Sequence, residues 1–418
     1  MSPGGLRAAL SRLTKRQEAS TSRVAALTSS FLETVHFGAL FDTDFGYPLC
    51  YRSTGVVEVS LGVVWRHSDV AATANQWRSI EHLVSDGTLG GVLNILGIDI
   101  GYSNLKLAFG ERGKDPKTLL RPAGAAPTDR FGTRIDGSAH DDFLHVQVDG
   151  QPFVAGVATD RASMWSRSLH AEYASSQSYK ALFHAGLLLS EVERIDILVT
   201  GLPVSQYLDE TRRKDVADRM RGEHQVTPRR SIIVDAVKVI PQPVGGFLDY
   251  VSSTASIDLD GARVLVIDPG FFSVDWVVIA QSELHQQSSG TSLEAASVVL
   301  EEASRLIGAD YGSNVSTEKL ENAIRQSKED VLVLGKKVAI AQYVQQASRK
   351  VAPVIIETIQ KSLRKESESV DAVLLVGGGV GFFDEAVRAA FPKLTVASTR
   401  EPVFSNARGF WIMGCSPQ

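Results

Sequence analysis

The stretch GIDIGYSNLKLAF, Gly97 to Phe109, returns in form as VIDPGFFSVDWVV, Val266 to Val278. Each copy is an apolar run, then Asp-x-Gly, then four residues, then a charged residue that opens a second apolar run. Asp99 and Gly101 of the first copy match Asp268 and Gly270 of the second, and Lys106 matches Asp275. Apolar runs of this length flanking a glycine turn read as β-hairpins. Two hairpins with one spacing, far apart in the chain, imply two homologous halves that face each other. Few folds satisfy that condition.

Around the hairpins the chain alternates strands with helical stretches, which places it in the α/β class. Strands are expected at 94–100, 104–109, 143–148, 195–200, 231–240, 263–268, 273–279 and 371–376. Helices are expected at about 172–190, 205–221, 245–256, 291–308, 316–327, 337–364, 380–391 and 402–413. The segment 110–142 is rich in Gly, Pro and charge and reads as loop. A third glycine cluster, VLLVGGGVGFFDEAV from Val373 to Val387, follows an apolar strand and opens a helix. Its G-G-G-x-G spacing is not the G-x-G-x-x-G of a dinucleotide fold, and no βαβ unit follows it.

A glycine turn aims several backbone N–H groups one way and makes an anion site. Two such turns on opposed halves could clamp a polyphosphate from both sides. Asp99 and Asp268, at the strand ends, would repel phosphate unless a hydrated Mg2+ stood between, held by carboxylate and phosphate oxygens. Lys106 adds a positive charge toward the phosphates. The alternative, that both acids only start turns, needs one accident to occur twice.

Composition narrows the partners. The chain has 418 residues, which implies two domains or more, and 43 basic against 48 acidic side chains give a net charge of −5. That balance offers no bulk attraction to nucleic acid. The two cysteines, Cys50 and Cys415, exclude a disulfide framework or a cysteine zinc site. No apolar run approaches the roughly 20 residues of a membrane span, so a cytoplasmic protein is expected. The nine histidines show no metal-ligand spacing, and no Ser/His/Asp or Cys/His set stands out. Residues 1–92 are expected to be an N-terminal extension, disordered or non-native. Their start is rich in Arg, Ser and Ala like a transit segment. The codons of Gly90-Gly91 could spell a ribosome-binding sequence ahead of a TTG or CTG start at Leu93.

These stretches, taken in order, resemble the nucleotide signature of the actin, heat-shock-cognate and sugar-kinase superfamily, and most of all bacterial plasmid-segregation actin-like ATPases of the ParM/StbA type. DIGYSNLK is similar to the family's first phosphate loop, IDPGFFSVDW to its second and VGGGVGFFDEAV to its adenosine loop. TGLPVSQY, Thr200 to Tyr207, and NARGFWIMG, Asn406 to Gly414, resemble a family strand end and the closing helix. The resemblance covers about 94–414. It implies an actin-like ATPase fold, two ribonuclease-H-like domains flanking a nucleotide cleft, with domain I at 93–260, domain II at 261–395 and a C-terminal helix, within 396–418, returning to domain I.

It also implies roles. Gly101, Tyr102, Ser103, Asn104, Lys106, Gly270, Phe271, Phe272 and Ser273 would bind phosphate; Gly377, Gly378, Gly379 and Val380 would bind adenosine; Asp99 and Asp268 would hold Mg2+ through water. Gln242 and Asp268 would be catalytic, with ATP and Mg2+ as cofactors. ParM-type relatives carry a glutamate where Gln242 stands, and actin a glutamine, which aligns water without taking its proton; slow hydrolysis is the expectation. Phe271-Phe272 replace the usual Gly-Thr. Asp275 reads as structural. The implied activity is filament assembly that moves plasmid or mobile-element DNA through a DNA-binding adaptor, with no membrane partner. Two alternatives stay open: a small-molecule kinase, with Asp196 or Asp235 as acceptor-side carboxylate, and a non-hydrolysing nucleotide-sensing scaffold.

Overall fold

The structure, a computed structural model, describes residues 92–132, 143–161, 172–253, 261–366 and 369–416. The expected extension at 1–92 lies, except for Val92, outside the described residues. The first half opens with β1 (Asn94–Ile100), β2 (Asn104–Glu111), β3 (Lys117–Pro122), β4 (Gly124–Pro127), β5 (Leu144–Val148) and β6 (Gln151–Val157). It continues with α1 (Gln177–Leu189), β7 (Arg194–Leu202), α2 (Val204–Tyr207), α3 (Glu210–Met220), β8 (Gly222–Thr227), β9 (Arg230–Pro241) and α4 (Gln242–Ser253). The second half has β10 (Val264–Pro269), β11 (Val274–Ala280), β12 (Glu283–Ser292), α5 (Ala296–Tyr311), α6 (Thr317–Arg325), β13 (Asp330–Val333) and β14 (Lys336–Ala339). It ends with α7 (Ala341–Leu363), β15 (Ala372–Leu375), α8 (Val380–Ala390) and β16 (Thr395–Ser398), and then comes α9 (Ser405–Cys415).

The repeat read from the hairpins extends to whole sheets. The first sheet has the order β3-β2-β1-β7-β9-β8, the second β12-β11-β10-β15-β16. In both, a three-strand antiparallel meander is followed by two parallel strands. Only β8 breaks the match. The register is the same too: Asp99 pairs with Lys106 across β1–β2, and Asp268 with Asp275 across β10–β11. Side chains of directly paired residues share one face of the sheet, so the seven-residue spacing brings each pair together.

Several expectations are corrected. The segment 110–142 is not loop throughout, since β3 and β4 lie in it; its prolines and glycines bound the strands, and β3 is an edge strand, where Pro is tolerated. The helix expected at 291–308 starts at Ala296 because Thr291 and Ser292 still pair with β11. The helix expected from 337 starts at Ala341, after β14. The helix expected at 205–221 is two helices, divided at Asp209, whose side chain accepts from Arg212 N at 3.2 Å and caps the second.

One core cluster runs from Ile95 and Val199 of the first sheet, through Phe247 and Leu248 of α4 and Phe410 and Met413 of α9, to Val264 and Val266 of the second. Helices α4 and α9 thus form a layer shared by both sheets. They meet backbone to backbone: a Cβ on Gly409 would lie 1.7 Å from Gly245 O, and one on Gly97 of β1 would lie 2.3 Å from Ala407 O. Among the described residues no helix is long and apolar enough to cross a membrane.

Candidate functional site

Both hairpin turns open on one cavity of about 280 Å3. The first supplies Asp99, Gly101, Tyr102, Ser103, Asn104 and Lys106 to its wall, the second Asp268, Gly270, Phe271, Phe272 and Ser273. Gln242, the first residue of α4, lines it as well, with Gly378 and Gly379. Gly377 and Val380 do not line it. Gly377 stands directly behind Asp268: its φ is +82°, and a Cβ there would fall 1.8 Å from Asp268 Oδ1. Asp196 and Asp235 are not in the cavity wall. Asp196 accepts from Asn94 N at 2.7 Å and Asp235 pairs with Arg194.

Buried Asp99 receives two donors, Lys106 Nζ at 2.8 Å on Oδ2 and Gln242 Nε2 at 3.2 Å on Oδ1. Burial works against the Lys106 charge, but the Asp99 carboxylate outweighs it and holds the ammonium above its ordinary pKa. The second hairpin sets two acids opposite each other. Asp275 is satisfied by Ser273 Oγ at 2.6 Å, Thr291 Oγ1 at 2.5 Å and Val204 N at 2.8 Å, the last from the first half. Asp268 accepts from Asn406 Nδ2 at 2.7 Å. Burial pushes Asp268 up to about 7; the Asn406 bond and Lys106 pull it down, while Asp99 and Asp275 add to the rise.

Sequence reasoning missed the partners that reach the first turn from α6. Arg325 donates to Asn104 Oδ1 at 3.0 Å and to Ser103 O at 3.2 Å, and Ser103 Oγ donates to Glu321 Oε1 at 2.5 Å. Glu321 and Arg325 are an i,i+4 pair on α6, a pattern with no signal of a site until the fold sets it against Ser103. Tyr173 was missed too; its ring stacks on Tyr102 at 4.4 Å. The Phe271-Phe272 pair divides: Phe272 packs on Tyr102 at 4.5 Å, while Phe271 turns toward the core under α5. The second turn is tied down where Gly270 O and Phe271 O accept from Ala296 N and Ser297 N, the unpaired donors at the start of α5.

Four carboxylates, Asp99, Asp268, Asp275 and Glu321, face this cavity with two cations, Lys106 and Arg325. The acid excess and its oxygen donors suit a hard cation that arrives with an anionic ligand. Among the described residues no group of three His, Cys, Asp or Glu could hold a metal alone. A Mg2+ here would therefore be held by Asp99 and Asp268 together with waters and ligand oxygens. Asn406 fits that reading: its side chain is buried and its Oδ1 has no hydrogen-bond partner.

Comparison with known proteins agrees with this geometry. A profile of the N-terminal domain of actin-like proteins matches residues 97–245, and one of the C-terminal part of the archaeal MreB-like actin homologue matches residues 266–389. No curated protein sequence matches. Among solved structures, an archaeal actin homologue in complex with ADP aligns with a TM-score of 0.61 at 21% identity, covering 76% of this chain and 97% of that one. ParM in a 15-stranded filament from Clostridium botulinum aligns with a TM-score of 0.60 at 18% identity, covering 78% and 99%. Bacillus thuringiensis ParM with AMPPNP aligns with a TM-score of 0.54 at 16% identity, covering 78% and 99%. These neighbours carry the same α/β fold, and the two profiles between them span well over half of the sequence. The chain belongs to the actin-like proteins.

Proposed function

We propose that this protein is a cytoplasmic ATPase that binds ATP and Mg2+ between its two halves and polymerises into dynamic filaments. The filaments would segregate plasmid or mobile-element DNA through a DNA-binding adaptor. The observation that carries the reading is the convergence of Asp99, Lys106, Gln242 and Asp268 on one cavity from three separate stretches of sequence.

The residues divide the work. The turns at Gly101–Asn104 and Gly270–Ser273 offer backbone N–H groups to the phosphates, and Lys106 offers charge. Gly378 and Gly379 border the adenosine end. Gln242 donates its amide N–H to Asp99, which leaves its Oε1 to accept from a water and align it for attack without removing its proton. Bound Mg2+ would neutralise phosphate charge, and Asp99 and Asp268 would hold it through water. Closure follows from one ligand touching both turns, and loss of the γ-phosphate relaxes it. The acidic net charge favours an adaptor over direct DNA contact.

Right-angle light scattering and phosphate release, followed together after ATP and Mg2+ are added to the full chain, test this. A scattering rise that decays as phosphate appears is expected. Gln242→Ala should assemble while its phosphate release falls by about a hundred-fold. A scattering rise with no phosphate from the wild type would make the protein a non-hydrolysing scaffold. Phosphate transfer to a sugar with no scattering change would make it a kinase.

A further inference from the structure

Asn406 plays no part in the roles above, yet it is the one residue of α9 that bonds to Asp268. Helix α9 is held without freedom to slide, because Gly409 meets Gly245 of α4 and Ala407 meets Gly97 of β1 at backbone contact. The Asn406 amide is thus fixed by the first half and by α4, the helix that begins with Gln242. It reaches across to a carboxylate of the second half. From the other side Gly377 leaves room for the Asp268 carboxylate, since a Cβ there would fall 1.8 Å from Asp268 Oδ1. The amide nitrogen is spent on Asp268 Oδ2, and the amide oxygen, buried in the cavity wall, has no partner. A buried acceptor left unmet marks a place for a donor.

Resting on the nucleotide reading, we propose that Asn406 is the positioning residue of the metal–nucleotide site. Its N–H fixes the Asp268 carboxylate, and its Oδ1 accepts from a water that accompanies the hydrated cation. Groups that orient a metal-binding carboxylate in this way set metal affinity by about ten- to a hundred-fold when removed.

The test compares Asn406→Ala with Asn406→Ser in the full chain. The two variants leave the same void and differ only by a hydroxyl, so their difference reads the hydrogen bond and not the packing. Mn2+ is the probe, with ADP present, and its free form is counted by electron paramagnetic resonance; no turnover is needed. Asn406→Ala should hold Mn2+ about ten- to a hundred-fold more weakly than wild type, and Asn406→Ser should regain part of the loss. Folding of each variant is checked by circular dichroism. If Asn406→Ala fails to fold, a loss of about ten-fold or less in Asn406→Ser against wild type supports the role, and unchanged affinity overturns it. A folded Asn406→Ala that binds Mn2+ as tightly as wild type also overturns it, as do Ala and Ser variants equally weak. Wild type that retains no Mn2+ with ADP or AMPPNP would instead remove the nucleotide reading itself, and this proposal with it.

Discussion

Gly409→Ala sets two known effects against each other on α9. Within a helix, alanine is favoured over glycine by about 1 kcal/mol. Opposing it, the new Cβ would stand 1.7 Å from Gly245 O and 2.4 Å from Gly245 C. Those are backbone atoms, so no side chain can rotate away. The two helices must part by well over an ångström, and Ala407, Phe410 and Met413, all fully buried, lose their packing. Overpacking of this kind costs about 1–3 kcal/mol, and backbone-on-backbone contact belongs at the top of that range. The net loss is then about 2 kcal/mol, or roughly 3 °C in Tm for a fold of this size. Gly381→Ala is the control: it lies in α8 with nothing within 4 Å of its Cβ, so the same substitution should raise Tm slightly. Differential scanning calorimetry of the two variants decides it. A Gly409→Ala protein that melts at or above wild type would refute the reasoning about the α4–α9 contact.

Two further predictions follow from the site and its surroundings. Arg325→Ala removes charged hydrogen bonds from the first turn, each worth about 1.5–3 kcal/mol. The amides of Gly101 and Ala123, which bond to Asn104 O and Ser103 O, should exchange roughly ten-fold faster in nucleotide-free protein; unchanged protection would show that α6 does not hold the turn. His184 is buried beside His224, with Nδ1 2.6 Å from Gln147 O, and burial lowers its pKa to about 4. An unfolded histidine binds a proton below about pH 6.5, so this contribution is complete above that value and is lost as pH falls toward 4. At pH 5 the loss is about 2 kcal/mol. Tm should therefore fall between pH 7.5 and 5 more in wild type than in His184→Gln, and equal slopes would refute the assignment.

In the six- and five-stranded sheets the central strands were legible in sequence and the edges were not. β1, β2, β7, β9, β10, β11 and β15 read as apolar runs because neighbours cover them on both sides. β3, β8, β12 and β16 are the edges of these two sheets, and all four escaped; in the small sheet β4-β6-β5 the edge strand β5 was expected at 143–148 and the central β6 was not. An edge strand pairs on one side only and faces solvent, so ELHQQSSGTS of β12 carries no apolar alternation to read. Its place is decided by β11, already in position.

The same division holds for the site. The repeated Asp-x-Gly hairpins determined by themselves that the chain has two matching halves, because register follows from spacing: the seven-residue step from Asp99 to Lys106 puts a cation on an acid wherever the hairpin forms. What Asp268 meets is another matter. Asp275 lies beside it by that register, but Asn406, far along the chain, reaches it only through the glycine contact of α9 on α4. Arg325 and Glu321 meet Ser103 and Asn104 only because the two sheets face one cavity. Local spacing encodes a hairpin; contacts between distant segments depend on where whole sheets and helices pack, and no short stretch of sequence carries that information.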